Sequence, residues 1–147
     1  MRGFLIDTNV LSELTSPVPS LRVRAFLSAQ SDLWFSTIVL HELNYGIELL
    51  PQGRKRNRID SAISKFLTEY MDWILPVDSS VASQAAVFRA QMHHKGRNLD
   101  LADALIAATA KVNGLCLVTR NVQDFEHLPI DILNPWESAL HHPITEA

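Results

Sequence analysis

Phe4-Leu5-Ile6-Asp7-Thr8-Asn9 is the stretch whose reading decides the fold. Three apolar residues run straight into a carboxylate, and two small polar residues follow it. Phe4 to Ile6 is too short for a helix core and suits a buried central strand. That reading sets Asp7 at the strand's carboxyl end, where open α/β sheets take their ligands. An acid delivered there needs partners from elsewhere in the chain.

Working outward, four more short apolar runs read as strands: Leu33-Trp34-Phe35, Trp73 to Val77, Leu115 to Thr119 and Ile130 to Leu133. Helical patterns fill the intervals. Val10 to Leu14 reads as a short helical turn, ended by Ser16-Pro17-Val18-Pro19-Ser20. Leu21 to about Ala29 follows. Ser36 is a good N-cap for a helix from Thr37 to about Leu50. In it Ile38, Tyr45 and Leu49 form one apolar stripe, and Val39, Leu43, Gly46 and Leu50 form its neighbour. Pro51-Gln52-Gly53 stops that helix. Arg54 to Arg58 opens another, whose apolar face is Ile59, Ala62, Ile63, Phe66, Leu67 and Tyr70. Ser79 or Ser80 can cap a helix through Val81, Ala85, Phe88 and Met92. Asn98 to Asn113 is the last long helix, with Asp100 as N-cap, Asp103 in a capping-box position, and Gly114 as the stop. Val122 to Phe125 is a short turn or helix. Strands alternating with helices predict an α/β sandwich with a central, mainly parallel sheet. With no internal repeat and no long linker, residues 1–142 are expected to form a single domain, with 143–147 a loose tail.

The bulk numbers narrow the class. At 147 residues, 47% hydrophobic and 20% charged, the composition is that of a globular domain with a proper core. The net charge of −3 is too slight to steer nucleic acid from a distance. A polyanion partner must then be held by a local patch or by bound metal. One cysteine, Cys116, permits no internal disulfide and suits a reducing cytoplasm. No run reaches the ~18 apolar residues of a membrane span, and the amino terminus is no signal peptide.

Several acids fall where the predicted fold can gather them. Asp7 ends a strand, Asp103 stands near a helix start, and Asn121 and Asp124 lie just past another strand. Glu42 sits on the stripe with Ile38 and Tyr45, where a carboxylate is costly unless paired. In a parallel sheet, strand carboxyl ends and following helix amino ends share one edge. Carboxylates brought together there repel one another unless a cation is present, and oxygen donors suit Mg²⁺ or Mn²⁺. Each residue also has a plainer reading: an Asx-capped turn at Asp7, a snorkelling or paired Glu42, capping acids at Asp100 and Asp103, a turn at Asp124. Thr119 could orient a ligand, though a strand-end threonine is more often structural. The paired histidines 93–94 and 141–142 lack the spacing of a zinc motif, and Cys116 stands alone.

The segments Ile6-Asp7-Thr8-Asn9-Val10-Leu11-Ser12-Glu13-Leu14, His41-Glu42-Leu43 with Gly46, Asp103-Ala104-Leu105-Ile106-Ala107-Ala108-Thr109-Ala110, and Leu117-Val118-Thr119-Arg120-Asn121 with Asp124-Phe125 resemble PIN-domain proteins. They are most similar to VapC-type toxins of toxin–antitoxin pairs, particularly the FitB-like branch, which Leu133-Asn134-Pro135-Trp136 also fits. The resemblance implies a PIN-like α/β/α sandwich and a metal-dependent endoribonuclease using Mg²⁺ or Mn²⁺. It implies an RNA substrate, a homodimer, and a cognate antitoxin through which DNA is met only indirectly. Asp7, Glu42 and Asp103 match three metal-site acids of the family. The fourth acid often follows Thr-Arg directly, and here Asn121 holds that position. Asp124 can supply the missing charge, or Asn121 can ligate through its carbonyl oxygen.

Two other functions stay open on the sequence. One is a catalytically quiet interaction protein that keeps the fold and acts through an antitoxin and DNA-binding complex; Asn121 in place of an acid favours it. The other is a phosphoryl-accepting Asp7, disfavoured because receiver-like domains place the acceptor on a later strand. The Arg54–Arg58 run reads as a solvated helix face that could also meet phosphates or an acidic partner segment. The Ile63, Phe66, Leu67, Tyr70 face could be core or a docking surface.

Overall fold

The computed structural model describes residues 3–137 and the backbone of 139–141. The expected loose tail, 143–147, lies outside the described residues. Strands β1 (Phe4–Ile6), β2 (Leu33–Ser36), β3 (Ile74–Leu75), β4 (Cys116–Val118), β5 (Ile132–Asn134) and β6 (Ala139–His141) form one sheet in the order β3-β2-β1-β4-β5-β6. The first five run parallel, and β6 is an antiparallel edge that the sequence reading missed. The architecture is an α/β sandwich with a mainly parallel sheet, as the alternation of elements predicts.

The order of the strands sets the site. The chain runs from β1 outward to β2 and β3, then returns to β4 on the other flank of β1 and continues to β5. The direction therefore reverses between β1 and β4, and at such a switch point the loops leaving the two strands diverge and open a crevice. Register places Ile6 beside Val118, so Asp7 and Thr119 leave the sheet side by side. Backbone bonds carry the pairing one residue further: the Asp7 amide donates to the Val118 carbonyl at 2.9 Å, and the Thr119 amide to Leu133 at 3.0 Å.

Seven α-helices among the described residues connect the strands: α1 (Thr8–Glu13), α2 (Leu21–Ala29), α3 (Thr37–Leu49), α4 (Arg54–Glu69), α5 (Ser79–His94), α6 (Leu101–Asn113) and α7 (Val122–Phe125). The core takes Leu5, Ile6, Phe35, Leu117 and Val118 from the sheet, and Val39, Phe88, Ile106 and Phe125 from the helices. Burying one such side chain contributes about 1.5–3 kcal/mol.

Several local expectations need correction. On α3 the buried stripe is Val39, Leu43 and Ile47, whereas Tyr45 and Leu49 are 59% and 66% exposed. Glu42 thus stands at the margin of the buried face rather than within it. The run Trp73–Val77 shrinks to a two-residue strand after a single 3-10 turn at Met71–Trp73, because Pro76 has no amide to continue a ladder. Asp78, not Ser79 or Ser80, caps α5: its carboxylate accepts from the Val81 amide at 3.0 Å. α6 begins at Leu101, and Asp100 holds the N-cap place without a side-chain capping bond, so no capping box forms. The last parallel strand starts at Ile132 rather than Ile130. The Ile63, Phe66, Leu67, Tyr70 face is core: Ile63 is buried, and Phe66 and Tyr70 pack edge-on against Phe35 at 5.1 and 5.3 Å.

Gly114 ends α6 with φ 64°, a left-handed conformation that a Cβ disfavours. Its turn returns the chain into β4 and so aligns β4 with β1. Gly114→Ala is expected to cost about 1–2 kcal/mol, read as a lower urea midpoint at unchanged slope, because nothing lies within 4 Å of the added carbon to relieve or aggravate the strain.

Candidate active site

The cleft at the switch point holds about 450 Å³ and is lined by Asp7, Thr8, Asn9, Ser12, Glu13, Glu42, Asp103 and Asn121. Asp7 has a double role there. As N-cap of α1 its Oδ1 accepts from the Thr8 amide at 2.8 Å, so the Asx-cap reading was correct as far as it went. Its Oδ2 accepts the Thr119 hydroxyl at 2.8 Å and the Asn9 amide nitrogen at 3.2 Å. Three donors therefore fix a carboxylate that is only 6% exposed.

Thr119 is the hinge pin of this cluster. It is fully buried, and besides donating to Asp7 its Oγ1 accepts from Asn9 Nδ2 at 3.2 Å and from the Asn121 amide at 3.1 Å. Asn9 Oδ1 in turn accepts from the Arg120 amide at 3.1 Å. The residues just past β1 and β4 are thus tied by side chains once the ladder ends. The structural reading of Thr119 and the orienting reading describe the same hydroxyl.

Glu42, from α3, accepts the Thr8 hydroxyl at 2.9 Å through Oε1, which aims it across the cleft. Asp103 enters from the first turn of α6, where the helix dipole favours an anion, yet its neighbours oppose the charge. Burial pushes its carboxyl up to about 7, and repulsion from Asp7, Asp124, Asp100 and Glu42 adds to the rise. Asp7 is also raised, first by burial and further by Glu42; the Thr119, Thr8 and Asn9 hydrogen bonds pull the other way without cancelling it. Two acids held above their ordinary range in one crevice are poised to take a cation.

The structure brings Asp7, Glu42, Asp103 and Asn121 to one space. Asp124 does not line it. This residue is exposed on α7, with its amide bonded to the Asn121 carbonyl at 3.1 Å, and reaches the cleft only as one of the charges felt by Asp103. Among the described residues, no three acids, histidines or cysteines stand close enough together to hold a metal ion by themselves. The oxygen donors face an open cleft instead, which fits a hard ion that keeps several waters.

Thr8, Asn9, Ser12 and Glu13 are lining residues that the sequence reading passed over. The available signal was the strand-to-helix junction itself: a helix starting at Thr8 puts Ser12 and Glu13 one turn on, above the cap. A second hollow of 280 Å³ lies at the opposite end of the strands around Gly3, Asp32, Trp34 and Gly114. Its one acid, Asp32, is already engaged by Trp34 Nε1 at 2.6 Å, so that hollow lacks the chemistry of the cleft.

A PIN-domain family model matches residues 4–130, which includes every residue of this cleft. The chain belongs to the PIN-domain family. It is 36% identical to the "VapC ribonuclease Y4jK" of Sinorhizobium fredii over 92% of this chain and 99% of the relative. It is likewise 36% identical to the "Toxin FitB" of Neisseria gonorrhoeae, over 90% and 97% of the two chains. Among solved structures, "Structure of FitAB bound to IR36 DNA fragment" superposes with a TM-score of 0.84 at 35% identity, covering 95% of this chain and 99% of that one. The PIN domain thus accounts for the fold on both sequence and shape. Among the described residues no helix is long and apolar enough to cross a membrane.

Proposed function

We propose that this PIN domain is a Mg²⁺- or Mn²⁺-dependent endoribonuclease, the toxin of a toxin–antitoxin pair. The observation that carries the proposal is the convergence of Asp7, Glu42 and Asp103 on one cleft at the switch point, with two of the three raised. Asp7 and Asp103 would be the principal ligands. Glu42 would complete the site directly or through water, as would either Asn121 through its carbonyl oxygen or Asp124 across water. Those residues would hold a divalent ion, which would supply Lewis-acid polarisation of a phosphodiester and a lowered pKa for an attacking water. The protein's own part is orientation: Thr119, Asn9 and the Thr8 amide hold Asp7, and the Thr8 hydroxyl holds Glu42. The test is cleavage of a mixed RNA pool with Mn²⁺ or Mg²⁺ and with excess chelator. Cleavage that survives complete chelation would overturn the proposal.

A pH signature accompanies it. Protons and metal compete for the same carboxylates, and one ionising group costs up to about tenfold in affinity per pH unit below its pKa. With Asp103 near 7, Mn²⁺ is expected to raise the melting temperature more at pH 8 than at pH 6. Equal shifts at both pH values would remove Asp103 from the ligand set.

An antitoxin partner and a homodimer belong to the same proposal, with DNA reached through the antitoxin. The similarity to the FitAB–DNA complex supports this assignment. So does a mainly apolar trough of 160 Å³ between α1, α3 and α4, lined by Leu43, Ile47, Leu50, Ile59 and Ile63, and sharing Ser12 and Glu42 with the cleft. A partner helix seated there could extend a side chain toward the acids. The quiet interaction protein remains the second reading, favoured by Asn121 and by the open ligand set. Titration calorimetry separates the two, because that protein would give no Mn²⁺ binding that Asp7 and Asp103 control.

A further inference from the structure

A cleft lined by acids repels the phosphates of its own substrate, and a net charge of −3 offers no distant attraction to offset this. A bound ion would offset that repulsion only at the phosphate it meets, so protein cations beside the cleft would help to hold the neighbouring phosphates. Among the described residues, two arginines meet on one tryptophan where β4 and β5 end. The Arg120 guanidinium carbon lies over the Trp136 ring, 4.8 Å from its centroid, and Arg22 Nη1 donates to the Trp136 carbonyl at 3.3 Å. Both arginines are exposed, and among the described residues no carboxylate pairs with either guanidinium.

Each arginine is coupled to the cleft wall. The Arg120 amide is bound by Asn9, which lines the cleft. Glu13, another lining residue, accepts from the Ser20 amide at 2.9 Å, two residues before Arg22. Trp136 is fixed by its own amide, which donates to Asn134 Oδ1 at 3.0 Å. A guanidinium held over an indole by a cation–π contact has its position set without using its N–H donors, which leaves them for contact with phosphate. By contrast, Arg56 in the basic run of α4 is already engaged, to Glu48 at 3.1 Å and the Leu50 carbonyl at 3.1 Å.

We propose that Arg22 and Arg120, assembled on Trp136, form a cationic platform that grips RNA phosphates next to the one in the acidic cleft. This rests on the nuclease reading and names the residues that place its substrate.

The test is fluorescence anisotropy of a labelled single-stranded RNA with the full chain carrying Asp7→Asn in Mg²⁺, across a KCl series. Cleavage by the unaltered chain is measured in parallel. Arg22→Ala and Arg120→Ala are each expected to weaken binding roughly tenfold and to flatten the salt slope by about 0.7, the share of one phosphate contact on a single strand. Arg120→Lys keeps the charge and is expected to keep the slope. Both arginines are surface residues, so circular dichroism of the variants should match the parent. Binding and salt slope unchanged in an Arg22→Glu, Arg120→Glu double variant overturn the platform even where the unaltered chain cleaves RNA. Unchanged RNA binding with loss of antitoxin binding in that variant overturns it in favour of a protein interface. Absence of metal-dependent cleavage in the unaltered chain counts against the nuclease reading alone, because the binding series still decides the platform.

Discussion

Asp103→Asn is expected to cut metal-dependent RNA cleavage at least about a hundredfold, the scale on which one electrostatic group acts at a reacting centre, while making the metal-free protein more heat-stable at pH 8. The two effects have one cause. Every influence on Asp103 raises its pKa: burial first, then the charges of Asp7, Asp124, Asp100 and Glu42. Its folded value of about 7 lies above the 3.8 of an ordinary Asp. Below the lower value the carboxyl is protonated in both folded and unfolded chains. As pH rises through the higher one, the folded chain must ionise a group that its surroundings disfavour, and stability is lost. Asn occupies the same volume without that charge. Because Asp103 is only partly buried, solvent screens much of the effect, and a gain of about 1 kcal/mol is expected, or roughly 2–4 °C in a chain of this size. Calorimetric melts at pH 5.5 and pH 8 check it: the gain should appear at pH 8 and shrink at pH 5.5. A variant that cleaves normally, or that melts lower at pH 8, would refute the account. Asp7→Asn should lose cleavage as fully but gain no comparable stability. Its carboxylate receives three donors, and an amide would turn its own N–H₂ toward two of them.

The contrast between these two acids also shows what the sequence could and could not disclose. Phe4-Leu5-Ile6-Asp7 was legible because three apolar residues followed by an acid have few other uses, and the sheet order then made its end the switch point. Glu42 was legible for the wrong reason. The stripe that made it suspicious, with Tyr45 and Leu49, faces outward, while the core stripe runs through Val39, Leu43 and Ile47. A helix with apolar residues on more than one side does not reveal which side the sheet will cover. Thr119 and Asn9 were hard to read because their roles rest on contacts across more than a hundred residues, and nothing local marks a threonine as the acceptor of two amides. The edge strand β6 was missed for a related reason. Ala139–His141 carries no strand pattern of its own and is formed by pairing with β5. Arg120 and Trp136 likewise become a unit only once β4 and β5 end side by side.

Thr119→Val is expected to be the most damaging single change at the site that leaves every acid in place. Val matches Thr in shape but lacks its hydroxyl, so the change chiefly removes hydrogen bonds. Asp7 Oδ2 loses its 2.8 Å donor, and the Asn9 and Asn121 nitrogens lose their shared acceptor, all at a position with no solvent access. An unsatisfied buried polar group costs about 1–3 kcal/mol, so the urea midpoint should fall at unchanged slope. Losing the residue that orients a metal-site ligand typically costs 10–100-fold in metal affinity or activity, and a loss of about that size is expected in Mn²⁺ affinity. A general loss of stability leaves the metal affinity of the folded fraction unchanged; a misaimed Asp7 does not. Thr119→Ser restores the hydroxyl while deleting only a methyl, and should recover most of the Mn²⁺ affinity despite a small packing cost. If Val and Ser variants bind Mn²⁺ as tightly as the parent, Thr119 is only a tie between strand ends. If Ser rescues where Val fails, the hydroxyl sets the aim of Asp7, and the catalytic geometry is built from residues that carry no charge.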